Sequence, residues 1–282
     1  MKLKLSGTLY EEQTINSKNH YDPFIYTDLL TTYVGQHPMV IGHFWEMTPH
    51  VILGMKDTRV TNLQKGVAYI KSQDFDVVVR NSGGLAVVSD PGILNFSLIF
   101  PHIINDEKLS INFGYECMTE IIQHAFKDQT DKIMPFEVTD SYCPGDFDLS
   151  INGQKFAGIA QRRVKDGISV MIYLSVNGDQ PKRGKLIHEF YQSSLGDHFG
   201  TDGYPPVRAD SMANLSDLLD LPLTISDVKH RISATMNSYF SIEPLVNSEL
   251  SIYLDSSDWQ VDYQKQFERM IKRNEIIQAE GV

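Results

Sequence analysis

The chain has little sulfur, little positive charge and no long apolar run. Only two of its 282 residues are cysteines, Cys117 and Cys143, and it lacks the run of about eighteen apolar residues that a membrane-spanning helix needs. The opening MKLKLSGTLYEEQ is too polar to form the apolar core of a signal peptide. We therefore expect a cytoplasmic protein without a membrane segment, in which both thiols are free.

Positive charge is scarce throughout the sequence. The 25 lysines and arginines are outnumbered by 36 aspartates and glutamates, which gives a formal net charge of -11. No basic run is longer than PKRGK, at residues 181–185. Because nucleic-acid binding depends on basic patches that neutralise phosphates, we expect no nucleic-acid partner.

Several motifs of well-known catalytic and binding sites are also absent. The nine histidines include neither HxxxH nor HExxH, and the group His37, His43 and His50 surrounds a proline-containing hairpin rather than a zinc motif. The phosphate loop GxxxxGK[ST], the dinucleotide motif GxGxxG and the serine elbow GxSxG do not occur. We therefore expect no metal site and interpret these histidines as structural or surface residues.

The apolar pattern predicts both helices and strands. Hydrophobic residues make up 41% of the chain and charged residues 22%, as in ordinary globular proteins. Helical spacing of apolar residues occurs at 27–34, 62–72, 115–126, 226–239 (with Ser226 as the predicted N-cap) and 260–273. Strand patterns occur twice within 39–55 and again at 75–80, 85–89, 93–100 and 168–176. We predict an α+β fold, a mixed, largely antiparallel sheet packed against helices, as a single domain over 1–282.

The segment SYCPGDFDLSINGQKFAGIAQRR, residues 141–163, predicts a β-hairpin. Asn152-Gly153 is the strongest short signal for a two-residue turn, because both turn positions need positive φ. The predicted register pairs Ile151 with Gln154, Ser150 with Lys155, Leu149 with Phe156 and Asp148 with Ala157. Since side chains alternate between faces, Asp148, Ser150 and Lys155 should share one polar face.

Cys143 lies on the approach to this hairpin. Pro144-Gly145 suits the central positions of a type II turn, which would fold the thiol back over the hairpin. A nearby lysine ammonium favours the reactive thiolate and can carry a proton to a leaving amine. Cys143 and Lys155 are thus candidates for a nucleophile and its partner, while a thiol without a chemical role beside a solvated lysine stays an alternative.

Two further features complete the candidate set. In RNSGGLAVVSDPGILNFSL, residues 80–98, Gly83-Gly84 allows either close approach of a ligand to the backbone or an ordinary tight turn. Cys117 flanks the apolar stripe of the helix predicted at 115–126. We expect Cys117 to act as a small hydrophobic residue.

Three segments together resemble the lipoate/biotin protein ligase and octanoyltransferase superfamily. They are WEMTPHVILGM, RNSGGLAVVSDPGILNFS and GQKFAGIAQRR, in family order and at family-like spacing. The resemblance covers residues 25–245, an acyltransferase core, and leaves 246–282 as a C-terminal helical extension. It implies the α+β catalytic-domain fold of these ligases.

The cysteine segment is most similar to that of octanoyltransferases that use the octanoylated glycine cleavage H protein. This resemblance implies that Cys143 takes the octanoyl group from octanoyl-lysine of the H protein as a thioester. Lys155 would lower the pH at which the thiol ionises and then help to protonate the departing amine. The acceptor would be a lysine on the lipoyl domain of an E2 subunit of a 2-oxoacid dehydrogenase.

The resemblance also implies a substrate tunnel. Its lining residues would be Arg80, Ser82, Gly83, Gly84, Asp90 and Asn95, and its wall would be kept narrow by Gly158 and Ala160. The basic residues Arg162, Arg163 and Lys165 follow the hairpin and offer a docking site for acidic carrier domains, although a solvated strand end is an equal interpretation.

The sequence departs from the ATP-dependent ligases of the superfamily. Those usually carry RRxxGGGAVxHD, whereas here Asn81 follows the arginine, Leu85 replaces the third glycine and Ser89 replaces the histidine. We therefore expect no ATP and no metal as cofactor. The alternatives are an ATP-dependent lipoate-protein ligase, a transferase that uses octanoyl-[acyl carrier protein], and a scaffold without chemistry that binds lipoyl domains.

Overall fold

A computed structural model describes residues 5–246 and 248–278. In this part of the chain no helix is both long and apolar enough to cross a membrane. The strands are β1 (Ser6–Glu11), β2 (Val40–Trp45), β3 (His50–Leu53), β4 (Asp76–Val79), β5 (Val87–Ser89), β6 (Ile93–Pro101), β7 (Ile103–Ile104), β8 (Glu107–Lys108), β9 (Met134–Pro135), β10 (Leu149–Ile151), β11 (Gln154–Val164), β12 (Gly167–Ser175) and β13 (Ser241–Glu243). The helices are α1 (Asp22–Val34), α2 (Leu63–Ser72), α3 (Ile111–Ala125), α4 (Gln180–Leu195), α5 (Leu215–Leu219), α6 (Ile225–Tyr239), α7 (Glu249–Leu254) and α8 (Ser257–Asn274).

Polar side chains fix where several helices begin. The Ser110 side chain accepts a hydrogen bond from the Phe113 N–H at the start of α3. Helix α6 begins with a capping box, in which Thr224 and Asp227 bond reciprocally. The prediction of Ser226 as the N-cap of this helix is therefore wrong by two residues, because Thr224 has the partner three residues later that the capping box requires.

The main sheet has eight strands in the order β13-β1-β2-β6-β12-β11-β10-β9. Strand β1 pairs in parallel with β2 and β13, and the other neighbours pair antiparallel. A smaller sheet has the order β4-β3-β5. The prediction of a mixed, largely antiparallel sheet is confirmed, and the apolar strand β12 lies inside it, between β6 and β11.

Helices cover both faces of the main sheet. Helices α3 and α6 pack against alternate residues of β6 and β12, among them Phe96 and Ile172. On the opposite face, α1 and α8 enclose a second cluster that includes Ile99. A third cluster joins the small sheet to α2 and α4. The fold brings the β4–β5 loop against Cys143, which precedes the β10–β11 hairpin.

The C-terminal helix α8 is tied to the small sheet. The Asn274 side chain accepts a hydrogen bond of 2.7 Å from the Val79 N–H and donates one of 3.1 Å to the Val79 carbonyl. Val79 is the last residue of β4, immediately before Arg80. This contact fixes the strand end from which the β4–β5 loop departs.

Candidate active site

Residues of both sheets line a cavity of about 350 Å³. The size is that of a small-molecule site. Much of its wall is apolar, with the side chains of Phe24, Trp45, Ile52, Val87 and Ile172. The predicted site residues that line it are Arg80, Ser82, Gly83, Gly84, Asn95, Cys143, Lys155, Gly158 and Ala160.

Asp90, which the resemblance places in the tunnel wall, is not among the residues that line this cavity. Its carboxylate accepts a hydrogen bond of 2.7 Å from Arg183 Nε, and Arg183 also donates to the Pro91 carbonyl at 3.0 Å. The Arg183 side chain is almost fully buried. Asp90 therefore serves as the counter-charge of a buried arginine of α4, a partner more than ninety residues away that the local sequence does not reveal.

The β10–β11 hairpin carries Lys155 to the cavity. Asn152 and Gly153 have φ values of 52° and 83°, and the pairs Ile151–Gln154 and Ser150–Lys155 form as predicted. Beyond them the predicted register is wrong, since a bulge opposes Leu149 to Ala157 instead of Phe156. A bulge inserts one extra residue in one strand, which local turn chemistry does not specify.

Lys155 is 1% exposed, and its ammonium is surrounded by oxygen atoms. Nζ lies 2.9 Å from Asp148 Oδ1 and donates to the carbonyl oxygens of Cys143 at 2.8 Å and Tyr142 at 3.0 Å. It also lies 3.2 Å from Ser141 Oγ. The predicted shared face of Asp148 and Lys155 is therefore confirmed as a direct ion pair, which holds the backbone around Cys143.

Asp148 holds the same turn from its other side. Its Oδ2 accepts hydrogen bonds from the N–H groups of Gly145 at 3.2 Å and Val138 at 3.4 Å. Burial raises the pKa of the Asp148 carboxyl, and the Lys155 charge opposes that rise. Gly158 adjoins this pair, since a Cβ there would lie in van der Waals contact, 3.5 Å from both Asp148 Oδ1 and Lys155 Nζ.

The turn at Cys143 differs from the predicted type II turn. Cys143 itself has a φ of 47°, whereas Gly145 is not among the glycines with positive φ in the described residues. A type II turn at Pro144-Gly145 needs positive φ at Gly145, so this prediction is wrong. A non-glycine residue in the left-handed region is held there at a cost of about 1–2 kcal/mol. The bonds from Lys155 to the carbonyls of Tyr142 and Cys143 supply that restraint.

The Cys143 sulfur faces the β4–β5 loop. Sγ lies 3.3 Å from the Leu85 backbone nitrogen, whose N–H donates to it, and 3.8 Å from Arg80 Nη2. Among the described residues, no hydrogen bond joins Lys155 Nζ to this sulfur; the lysine reaches the Cys143 backbone instead. The structure therefore brings Cys143 and Lys155 together, but through the carbonyl oxygen and not through the thiol.

Arg80 is fixed by its own loop. Nε and Nη2 donate to the Gly83 carbonyl at 3.1 and 2.9 Å, and Nη2 also donates to the Leu85 carbonyl at 2.9 Å. Gly84 has a φ of 89°, and a Cβ there would lie 2.5 Å from Arg80 Nη2 and 3.3 Å from Cys143 Sγ. A glycine is needed at position 84 because the Arg80 guanidinium and the Cys143 sulfur converge on it.

A buried hydrogen-bond network supports the β4–β5 loop. The sequence patterns did not indicate it. The Ala86 N–H donates to the Tyr191 hydroxyl at 3.1 Å, and that hydroxyl donates to Asp57 Oδ1 at 2.7 Å. Asp57 Oδ2 accepts the Gly54 N–H at 2.7 Å. Burial raises the pKa of Asp57 to about 6, although the hydrogen bonds from Tyr191 and Gly54 act to lower this pKa. No periodicity or motif marks these residues, because they meet only in the folded chain.

The basic residues after the hairpin are already engaged within the chain. Arg162 donates to Asp28 Oδ1 at 2.6 Å and Oδ2 at 3.0 Å, and its side chain is 31% exposed. Arg163 donates to the Leu109 carbonyl at 3.0 Å. Lys165 occupies the left-handed turn between β11 and β12, with a φ of 51°. Of the three, only Lys165 is free of such a charged or backbone partner in the described hydrogen bonds and ion pairs.

The second cysteine has a different environment. Cys117 is 2% exposed within the apolar cluster between α3 and the main sheet. Burial raises the pKa of its thiol to about 12. The prediction that Cys117 acts as a small hydrophobic residue is confirmed.

The two sheets, the flanking helices and the cavity define an α+β fold of the lipoate-protein ligase type. A crystal structure of lipoate-protein ligase A bound with ATP superposes with a TM-score of 0.67, at 17% identity and over 94% of this chain and 95% of that one. The chain belongs to the lipoyl protein ligase A/B catalytic domain family, whose model matches residues 19–237.

Curated relatives cover most of the chain. An octanoyl-[GcvH]:protein N-octanoyltransferase of Exiguobacterium sp. is 45% identical over 233 residues, which are 83% of this chain and 79% of the relative. A lipoyl-[GcvH]:protein N-lipoyltransferase of Listeria monocytogenes is 38% identical over 236 residues, 83% of this chain and 81% of the relative. The resemblance seen in the sequence motifs is confirmed at the level of the family.

Proposed function

We propose that this chain is a cytoplasmic acyltransferase that moves an octanoyl group between two protein lysines. The donor is octanoyl-lysine of the glycine cleavage H protein, and the acceptor is the lipoyl-domain lysine of an E2 subunit. One observation carries the proposal: the Cys143 sulfur borders an apolar cavity and receives the Leu85 N–H, beside the buried Lys155–Asp148 pair. The similarity to relatives named octanoyl-[GcvH]:protein N-octanoyltransferase supports this choice of donor.

The proposed reaction has two acyl-transfer steps. The Cys143 thiolate attacks the amide carbonyl carbon, a C–S bond forms and the C–N bond breaks as the lysine amine leaves with a proton. The incoming lysine amine then attacks the thioester, forms the new amide, loses a proton and releases the thiolate. Expulsion of an amine requires its protonation, and Lys155, which lines the cavity, is the proposed proton carrier.

The energy balance needs no external driving reaction. The bond broken and the bond formed are both lysine amides, so the exchange is nearly thermoneutral, and we propose that it uses neither ATP nor a metal. Burying an eight-carbon chain contributes about 5–6 kcal/mol at roughly 0.8 kcal/mol per CH₂. The apolar wall of Phe24, Trp45, Ile52 and Ile172 is suited to that burial.

The polar lining residues have proposed substrate-binding roles. The cavity is lined on the side of the β4–β5 loop by Arg80, Ser82, Gly83 and Gly84. Asn95 lines it from β6 and donates a hydrogen bond of 3.1 Å to Ser89 Oγ. Gly158 and Ala160 on β11 line the cavity, and Gly158 adjoins the Lys155–Asp148 pair. For docking of an acidic carrier domain, Lys165 is now the better candidate, because Arg162 is bonded to Asp28.

A transfer assay tests this function. Octanoylated H protein, an E2 lipoyl domain and the chain are mixed without nucleotide, and octanoate on the lipoyl domain is measured by mass spectrometry. Transfer that needs neither ATP nor metal supports the proposal. A requirement for lipoate and ATP would indicate a lipoate-protein ligase instead, and transfer only from octanoyl-[acyl carrier protein] would indicate a transferase that uses that donor. Tight binding of the lipoyl domain without any transfer would indicate a scaffold.

A lipoylated H protein should be compared with the octanoylated one in the same assay. One relative is named for transfer of a lipoyl group, and both acyl groups are eight-carbon chains. We expect the octanoyl donor to react faster. A faster reaction of the lipoyl donor would change the proposed substrate without changing the thioester chemistry.

A further inference from the structure

Two cationic side chains approach Cys143, and they touch different atoms of it. Lys155 Nζ donates to the Cys143 carbonyl oxygen at 2.8 Å, whereas Arg80 Nη2 lies 3.8 Å from Sγ. The sequence analysis assigned stabilisation of the thiolate to Lys155. The contacts favour the other cation.

The ammonium of Lys155 has no donor left for the sulfur. A lysine ammonium has three N–H donors, and here four oxygen atoms surround it. They are Asp148 Oδ1, Ser141 Oγ and the carbonyls of Tyr142 and Cys143, at 2.8–3.2 Å. The adjacent Asp148 carboxylate also offsets the lysine charge at the position of the thiol. Lys155 is therefore placed to hold the backbone of the turn.

The guanidinium of Arg80 has no carboxylate partner among the described salt bridges. Three bonds to the Gly83 and Leu85 carbonyls fix its position without neutralising its charge. The same loop supplies the Leu85 N–H, which lies 3.3 Å from the sulfur. Sγ thus faces a full positive charge and a backbone donor from one rigid segment, an arrangement that favours an anion.

We propose that Arg80 and the Leu85 N–H stabilise the Cys143 thiolate, while Lys155 and Asp148 hold the Cys143 turn. The proton-carrying role stays with Lys155. The assignment rests on the proposed function of Cys143 as nucleophile. It makes Arg80 a positioning and charge-supplying residue for the thiolate in addition to a tunnel-lining one. Because an arginine stays charged over the physiological range, the thiolate then does not depend on the protonation of the group that transfers the proton.

Other titratable groups surround the same sulfur. Tyr191 of α4 and Asp57 of the 3-10 turn 57–59 lie beneath the β4–β5 loop, and the charges of Asp57 and Arg80 interact. Tyr142 and Asp148 flank the Cys143 turn. Tyr142 and Tyr191 stay neutral because burial raises their pKa well above the ordinary value. Asp57 has a pKa of about 6, so profiles are to be compared above pH 7, where its charge is constant.

The test is the rate of Cys143 alkylation by iodoacetamide as a function of pH, measured on the free protein. Cys143→Ala gives the background reaction of Cys117. For Arg80→Gln we expect the midpoint of the profile to move up by about one pH unit or more, since an opposite charge within ~4–6 Å shifts an ionisation by that amount. At pH 7 the alkylation rate should fall about tenfold. Lys155→Met combined with Asp148→Asn, which removes the ion pair without leaving an unpaired carboxylate, should move the midpoint much less.

Arg80→Lys separates charge from loop support. A lysine keeps the positive charge but cannot make the three bonds to Gly83 and Leu85. If charge acts on the thiolate, its profile stays closer to that of the unmodified protein than the Arg80→Gln profile does. Equal profiles for both Arg80 variants, or no shift in either, would overturn the proposal. If Arg80→Gln does not fold, as judged by circular dichroism, the Lys155→Met/Asp148→Asn variant decides: a midpoint close to that of the unmodified protein supports the proposal, and a rise of about one pH unit or more would overturn it.

The outcome is independent of the transfer reaction. Alkylation needs no acyl donor, so a chain that fails to transfer octanoate but shows the Arg80 shift contradicts the proposed function alone. A chain that transfers octanoate and shows a larger shift with Lys155→Met/Asp148→Asn than with Arg80→Gln contradicts this inference alone.

Discussion

The two cysteines of the chain lie in chemically different surroundings, one apolar and the other polar and charged. Cys117 lies in an apolar cluster on α3, where burial raises the pKa of its thiol to about 12. Cys143 lies on a turn with a φ of 47°, half-buried, with the Leu85 N–H and Arg80 directed at its sulfur. The same side chain is thus a packing element in one place and a candidate nucleophile in the other.

The comparison shows what converts a thiol into a reactive group. Apolar packing around Cys117 keeps water away from the thiol, which disfavours the thiolate. Around Cys143, a buried ion pair and two loops hold polar groups that would otherwise be costly to bury. Stability in the first region comes from apolar contact, and in the second from satisfied charges and hydrogen bonds.

The largest expected effect separates the two thiols by activity. Cys143→Ala should lower octanoyl transfer by roughly a thousandfold or more, because the covalent intermediate is lost. Cys117→Ala should leave the transfer rate nearly unchanged. The measurement is the initial rate of lipoyl-domain octanoylation with both variants at equal folded concentration. An active Cys143→Ala protein would break the comparison.

The next effect concerns the ion pair that holds the Cys143 turn. Lys155→Met leaves Asp148 buried without its partner, so the free energy of unfolding should fall by about 3–5 kcal/mol. The matched control is Lys265→Met, which removes an exposed lysine 3.0 Å from Asp262 on α8 and should cost less than about 1 kcal/mol. Urea unfolding measures both. Equal losses of unfolding free energy in the two variants would show that the buried Lys155–Asp148 pair stabilises the fold no more than an exposed pair.

A third effect gives the Cys143 region a pH dependence. The pKa of Asp57 is about 6 in the folded chain, above its ordinary value of 3.8. Burial of the neutral acid therefore stabilises the fold fully below about pH 4, and this stabilisation is lost as the pH rises through about 6. Relative to Asp57→Asn, the unmodified protein should lose about 3 kcal/mol of unfolding free energy between these limits.

Urea unfolding of both proteins at a series of pH values measures this difference. Parallel stability curves for the two proteins would contradict the raised pKa. The Cys117 region offers a comparison, because Cys117→Ala should shift the curve by the same amount at every pH between 4 and 7.

The smallest expected effect is the loss of stability when the buried Cys117 side chain is shortened. Cys117→Ala removes one buried sulfur, and the free energy of unfolding should fall by about 1 kcal/mol. Thermal or urea unfolding measures the loss. A drop in transfer rate without a matching drop in stability would show that Cys117 has a chemical role after all.

Part of this structure could be predicted from the local sequence, and the rest depends on tertiary contacts. The Asn152-Gly153 turn and the Ser150–Lys155 pair follow from the sequence, because two-residue turns are specified by the residues within them. The bulge beyond Ser150, the left-handed Cys143 and the Arg183 partner of Asp90 do not. Each depends on a residue distant in the chain or on backbone that others restrain.

The candidate site shows the same division. Cys143 and Lys155 were predicted from residue type and spacing, and both line the cavity. Which cation reaches the sulfur depends on how the β4–β5 loop and the hairpin meet, and the sequence carries no signal for that contact. The Asp57–Tyr191 support of the loop was missed for the same reason.

The central claim is that Cys143 carries the octanoyl group as a thioester. The direct measurement is mass spectrometry of the chain after brief mixing with octanoylated H protein, without nucleotide or acceptor, followed by acid quenching and digestion. We predict one octanoyl adduct on the peptide that contains Cys143, released by hydroxylamine and absent in Cys143→Ala. Efficient transfer to a lipoyl domain with no adduct on Cys143, or with the adduct elsewhere, would contradict it.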